Sequence, residues 1–230
     1  LERRTAQPLA DIRALANPPV LLTNVATLLV GFGMFGSFIL IPTLAQADTS
    51  TGYGFGVGAT RAGLLLLPGS VAMLVLGPVS GAVGTRFGNK VSLTMGGLTT
   101  AIGLALLAWF HGSQLEVALF ATLMSGGIAL AFAAMPNLIL EAVPAQQTGE
   151  ATGFNALVRS VGSSLGSQVS ATLLAASAVS SIATDTGYTD AFLVSAGVAL
   201  CSAAVAVCIP RVGGDDARSR ARNAVEMAGA

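Results

Sequence analysis

Few residues in this chain of 230 are of a type and spacing that could do chemistry. There is one histidine, His111, and there are two cysteines, Cys201 and Cys208. On a helix those cysteines share a face about 10 Å apart along the axis, too far to bridge each other. A single histidine cannot assemble a metal-ligand pattern with them, so no metal and no cofactor is expected. No base stands near a serine and no paired carboxylates fall within an apolar run, which leaves an intramembrane enzyme without a catalytic set. The residue that demands a reason is Arg159, in the apolar, small-residue stretch GEATGFNALVRSVGSSLGSQVSA at 149–171. It lies about 13 Å along a helix axis from Glu150, a depth at which an unpaired guanidinium needs a partner or water. Glu141 and Glu150 flank the same loop, and the long arginine stem can reach back toward them or toward backbone carbonyls. Structural anchoring, a contact that changes with conformation, and direct contact with a ligand are all open to it.

The elements that must position these residues are membrane helices. Hydrophobic residues make up 53% of the chain and charged residues 10%, and the mean hydropathy is +0.75, well outside the range of a soluble domain. Charge-free runs separate Arg13 from Asp48, Arg61 from Arg86, Lys90 from Glu116, Glu116 from Glu141, Arg159 from Asp185 and Asp190 from Arg211. About 20 residues of helix cross a hydrocarbon core, so the pattern predicts six spans at about 19–44, 60–84, 90–110, 115–140, 151–177 and 190–209. Strands of alternating polarity, the mark of a membrane barrel, are absent. The fold class is therefore all-α and transmembrane, with a bundle over 18–210, a charged lead at 1–17 and a polar tail at 211–230 expected to be disordered. No signal peptide is visible, and the lead resembles a linker more than a start, so the chain reads as a fragment. Eleven basic and eleven acidic residues cancel, which gives no reason to expect a nucleic acid partner. Nine of the basic residues fall on one side if both termini share it, and the positive-inside rule makes that side cytoplasmic. The expected location is a plasma membrane, most simply a bacterial inner membrane, crossed several times.

The turn GAVGTRFGNK at 81–90 resembles the signature loop of the major facilitator superfamily. Gly81, Arg86, Gly88 and Lys90 match that pattern, while Thr85 stands where the family has Asp and Asn89 where it has a basic residue. The other reading of this segment is a tight turn with ordinary positive-inside charges. PNLILEAVPAQQTGEATGFNALVRSVGSSLGSQ at 136–168 is similar to the fourth-to-fifth helix stretch in the C-terminal half of fourteen-span drug/proton antiporters, through Pro144, Gly149, Glu150, Gly153, Asn155, Arg159, Gly162 and Gly166. Gly63 and Pro68 match the start of that branch's second helix, and LGPVSG at 76–81 resembles an antiporter Gly-Pro motif that the family carries elsewhere.

The resemblance implies two inverted triplets of helices, the 3+3 arrangement within one transporter half, and an N-terminal half as partner beside the lipid bilayer. It also implies that the first and fourth spans face a central cavity. Candidate cavity residues are then Asn24, Met34, Phe35, Phe38, Met124, Asn137 and Gln168, with Phe32 and Met135 beside them; Met and Phe adapt to varied amphipathic cargo. Gly162 and Gly166, four apart, form a small helix-packing face, which in a rocking transporter is also a candidate sliding surface. No titratable group falls at the centre of any span, so a proton-coupling carboxylate would belong to the other half. The expected function is multidrug efflux by alternating access coupled to protons. The alternative is a half-size, non-transporting module acting through helix association or as a homodimer.

Overall fold

The computed structural model describes residues 17–179 and 182–210. The expected tail at 211–230, and the expected lead apart from Asn17, lie outside them. The described helices are α1 Pro18–Gln46, α2 Ala59–Leu65, α3 Leu67–Phe87, α4 Asn89–Trp109, α5 Gln114–Ala142, α6 Thr148–Ser177 and α7 Asp185–Cys208. Among the described residues the extended structure is a lone bridge between Val179 and Ile182.

Helices α2 and α3 together make one crossing, interrupted at Leu66. The cause is Pro68, whose nitrogen has no hydrogen to donate and whose ring crowds the carbonyl of Leu64. Leu66 instead closes a tighter turn onto the Gly63 carbonyl at 3.1 Å. Several helices run past their apolar stretch because polar caps extend them. Ser113 and Glu116 form a reciprocal capping box at the start of α5. The Thr184 side chain accepts from the Gly187 N–H, so α7 begins at Asp185 rather than near 190. Among the described residues, five crossings are long and apolar enough to span a bilayer. The sixth, α6, has 30 residues but is diluted by glycine, serine and threonine.

The neighbour relations carry the architecture. Helix α1 packs on α6 and α7, α5 packs on α3 and α4, and α4 packs on α7. Exchanging α1 with α5, α2 and α3 with α6, and α4 with α7 maps this set of pairs onto itself, as two inverted triplets require. The main core lies toward the end carrying His111, where Leu40, Leu44, Leu107, Ile128, Tyr188 and Phe192 are buried together. A second cluster of Ala26, Val30, Leu93, Met135 and Ala206 fills the half toward Arg86. Without water in the surroundings, contact between helices rests on close packing. A methyl group added at Gly96 would stand 2.6 Å from the Gly127 carbonyl oxygen, so α4 and α5 touch backbone to backbone.

Candidate functional site

The contact between α1 and α6 is equally close and positions the polar residues of both helices. A Cβ on Gly162 would meet the Leu28 carbonyl oxygen at 2.1 Å, one on Gly166 the Phe32 carbonyl oxygen at 2.1 Å, and one on Gly31 the Arg159 carbonyl oxygen at 2.6 Å. Toward the Arg86 end of this seam lies a buried polar cluster. The Asn155 amide donates to Asn24 Oδ1 at 2.8 Å and to Thr27 Oγ1 at 2.8 Å. Asn24 Nδ2 is buried with no acceptor among the described residues. Asn24 therefore faces α6, inside the protein, and not an open cavity. Asn155 had entered only through the family resemblance; the signal for its role is that it and Asn24 are asparagines on two helices that both carry small-residue faces.

One turn beyond Asn155, Arg159 sends its guanidinium over the ring of Phe132 on α5, 4.7 Å from the ring centre. The delocalised cation lies over the negative face of the ring, an attraction that strengthens as water is removed. This is a partner of the kind the depth of Arg159 calls for, and it is an aromatic ring where the sequence offered carboxylates or backbone carbonyls. Glu141 is engaged elsewhere, accepting from the Asn89 amide at 2.6 Å, while Glu150 sits in the first turn of α6.

The remaining candidates divide. Phe35 is 41% exposed on the open face of α1 and meets Phe38 edge to face at 6.2 Å. Met34 is half-buried and packs against the main core, and Phe32 is half-buried above Gly166. Gln168 is exposed on α6. Met124 and Met135 are fully enclosed: Met124 backs onto Gly103 of α4 and Met135 belongs to the second core cluster, so neither lines an open surface. The centre of α5 is covered on every side, which removes the amphipathic period that would have marked its inward face. Asn137 is also displaced from the cavity set. It donates to its own helix at the Ala133 carbonyl, 3.2 Å, and lies 3.4 Å from Asn89 Oδ1.

Asn137 thus belongs to the turn between α3 and α4. Gly88 there has φ +95, a left-handed conformation that favours glycine, and it reverses the chain within one residue. Gly84 makes room for the Asn89 amide, which a Cβ would strike at 2.2 Å. Thr85, in the place of the family's Asp, turns back to the Ala82 carbonyl at 3.0 Å; the acid that this turn uses is Glu141, delivered by α5. Lys90 Nζ donates to the Ile209 carbonyl at 2.7 Å and ties the turn to the end of α7, where exposed carbonyls attract a cation. Arg86 lies over Phe87 at 5.4 Å. A cavity of about 320 Å³ lined by Pro19, Phe87, Asn89, Lys90, Glu141 and Ile209 sits behind the turn. Gly81 is open to its surroundings, with nothing within 4 Å of a built Cβ. Among the described residues no group of three His, Cys, Asp or Glu side chains could hold a metal.

The comparison with known sequences decides the family, because the Major Facilitator Superfamily profile matches residues 2–167. The chain belongs to the Major Facilitator Superfamily. Its members are transporters, and this one is a multi-pass protein of the plasma membrane, as its bacterial relatives indicate. The multidrug resistance protein Stp of Mycobacterium tuberculosis is 29% identical over 177 residues, covering 76% of this chain and 32% of its own length. The tetracenomycin C resistance and export protein of Streptomyces glaucescens is 29% identical over 177 residues with the same coverage of 76% and 32%. A uridine/deoxyuridine transporter of Lactococcus lactis is 31% identical over 173 residues, covering 72% of this chain and 35% of the relative. The chain spans about a third of the length of these relatives. Their printed cargoes differ, so the shared scaffold does not by itself specify a substrate.

Proposed function

We propose that these 230 residues are the C-terminal six-helix half of a longer, fourteen-span drug exporter that moves small amphipathic molecules by alternating access, coupled to protons. The observation that carries this reading is the uncovered face of α6. Ser160, Ser164, Gln168 and Thr172 recur every four residues and are all exposed. The hydroxyls bond to carbonyls of their own helix, as Ser164 does to Ser160 at 3.0 Å, but the Gln168 amide finds no such relief among the described residues, which is costly in hydrocarbon. Such a stripe suits a water-filled path or a second set of helices better than lipid. The aromatic pair Phe35 and Phe38 on neighbouring α1 offers an apolar, adaptable wall to the same space. The excess of basic residues near both chain ends supports cytoplasmic termini, with the Arg86 turn inside and His111 outside. Since no span carries a central carboxylate, the proton-coupling group is assigned to the remainder of the protein.

The test is thiol accessibility in the full-length transporter. Cys201 and Cys208 are both exposed and are first replaced by serine. Single cysteines are then placed at Ser164, Gln168 and, as a lipid-facing control, Leu200. A membrane-impermeant maleimide is expected to label positions 164 and 168, less so when substrate is present, and to leave 200 unlabelled. Equal labelling at all three sites would sink the reading. A second copy of this chain would cover the same face, and in that case cross-linking through position 164 would give a homodimer in place of substrate protection.

A further inference from the structure

Arg159 is the twelfth residue of α6, Thr148–Ser177, and every other charged residue described lies within six residues of a helix end. Through the apolar depth of the described bundle the fixed field is therefore that of one cation, and the low dielectric there extends its reach. Such a field draws anions and repels cations. The Phe132 ring answers the charge, with the guanidinium 4.7 Å from its centre, but it offers no oxygen to the five N–H donors of the fork. Among the described residues no oxygen accepts from them, and the Glu141 carboxylate is held by Asn89. Asn24 Nδ2, beside Asn155 one turn before Arg159 on the seam, is a further buried donor with no acceptor among the described residues. At this level of the bundle donors outnumber acceptors. Arg159 and Phe132 are both half-buried, so a ligand can reach them. Helix α1, which packs on both α5 and α6, exposes Leu21 and Val25 toward the same end.

We propose that Arg159, set against Phe132, is an oxyanion-recognition point for the cargo, and that the exporter selects amphipathic molecules bearing a carboxylate over neutral or cationic ones of the same shape. A carboxylate presents two oxygens at the spacing of two parallel guanidinium N–H groups, so it completes the fork as a single carbonyl oxygen does not. Leu21 and Val25 give the apolar body of such a molecule a wall. A molecule carrying an ammonium meets a like charge instead, and finds no carboxylate at this depth among the described residues. The assignment rests on the export reading above and narrows its small amphipathic cargo to an anionic class.

Equilibrium dialysis of the purified full-length transporter in detergent, against a detergent-only blank, reads the site without turnover. The probes are benzoate, 2-naphthoate and anthracene-9-carboxylate, each paired with its neutral amide. At least one carboxylate is expected to bind about tenfold or more tighter than its amide, and Arg159→Met to bring that ratio to about one while the amide binds as before. Arg159→Lys is expected to fall between the two, because it keeps the charge and loses the planar fork. A wild-type ratio of about one in all three pairs, or a ratio that Arg159→Met leaves unchanged, would overturn the proposal. A carboxylate supplied by the remainder of the transporter is the rival acceptor, and it gives the first of those results together with a lower melting temperature in Arg159→Met. Should Arg159→Met not fold, Arg159→Gln takes its place, and the wild-type ratio is decisive by itself. Thiol labelling at positions 164 and 168 tests export separately, so substrate-protected labelling without a carboxylate preference refutes the anion site alone.

Discussion

Substituting Gly162 by alanine is expected to force α1 and α6 apart. The added Cβ would stand 2.1 Å from the Leu28 carbonyl oxygen, where real Cβ contacts essentially never fall below 3.0 Å. The helices must therefore separate by about 1 Å, since neither backbone can rotate out of the way as a side chain can. Overpacking of this kind costs about 1–3 kcal/mol. Alanine is also the better helix former, by about 1 kcal/mol, so the raw effect understates the clash. Gly153→Ala on the same helix supplies the correction, because a Cβ there meets nothing within 4 Å and reports helix propensity alone. The two variants should differ by about 1–3 kcal/mol, or about 3–10 °C in melting temperature for a chain of this size. The assay is thermal unfolding of purified protein in one detergent, followed by tryptophan emission from Trp109. If the two variants melt within about 1 °C of each other, the backbone contact is not what joins α1 to α6.

A double-mutant cycle between Arg159→Met and Phe132→Leu should show a coupling of about 0.5–2 kcal/mol in the same unfolding assay; zero coupling would remove the ring as the arginine's partner. Glu141→Gln should cost less than Glu141→Ala, because the amide oxygen can still accept from Asn89, with a difference of about 1 kcal/mol read from chemical denaturation. At Asp48 the backbone N–H of Ser50 holds the carboxyl below its usual value of 3.8. A lowered folded value means that its contribution is complete above 3.8 and is lost as pH falls through the lower folded value. Amide exchange at Ser50, corrected for intrinsic rates, should therefore be slow at pH 5 and lose its protection toward pH 2; a pH-independent protection factor would contradict this.

Five of the crossings were legible because an uncharged run of spanning length has few structural alternatives. Their ends were not, since caps such as Thr184 and Ser113 lie outside the apolar run that hydropathy detects. Faces were harder still. In a helix surrounded by other helices, such as the middle of α5, no polar side breaks the pattern, so Met124 and Met135 look the same as residues lining a cavity. Asn137 carried a usable signal: it stands four residues before Glu141, hence on one helix face with it and near the turn that both serve. The Arg159 problem was visible as a charge at depth, but Phe132 could not be named because aromatic residues are common along apolar helices. His111 and Asp185 are 74 positions apart; alternation of the spans places both at one end of the bundle, and only packing brings them to contact.

The glycine seam between α1 and α6 has a consequence for how such a chain can diversify. Where backbone meets backbone, a side chain added at Gly31, Gly162 or Gly166 must push two helices apart, at a cost in stability. The neighbouring open faces, with Phe35 and Gln168, carry no such restriction. On the proposed reading, such a chain can exchange its outward-facing side chains one at a time while the frame beneath them stays intact, so new chemical tastes can arise without the fold being renegotiated.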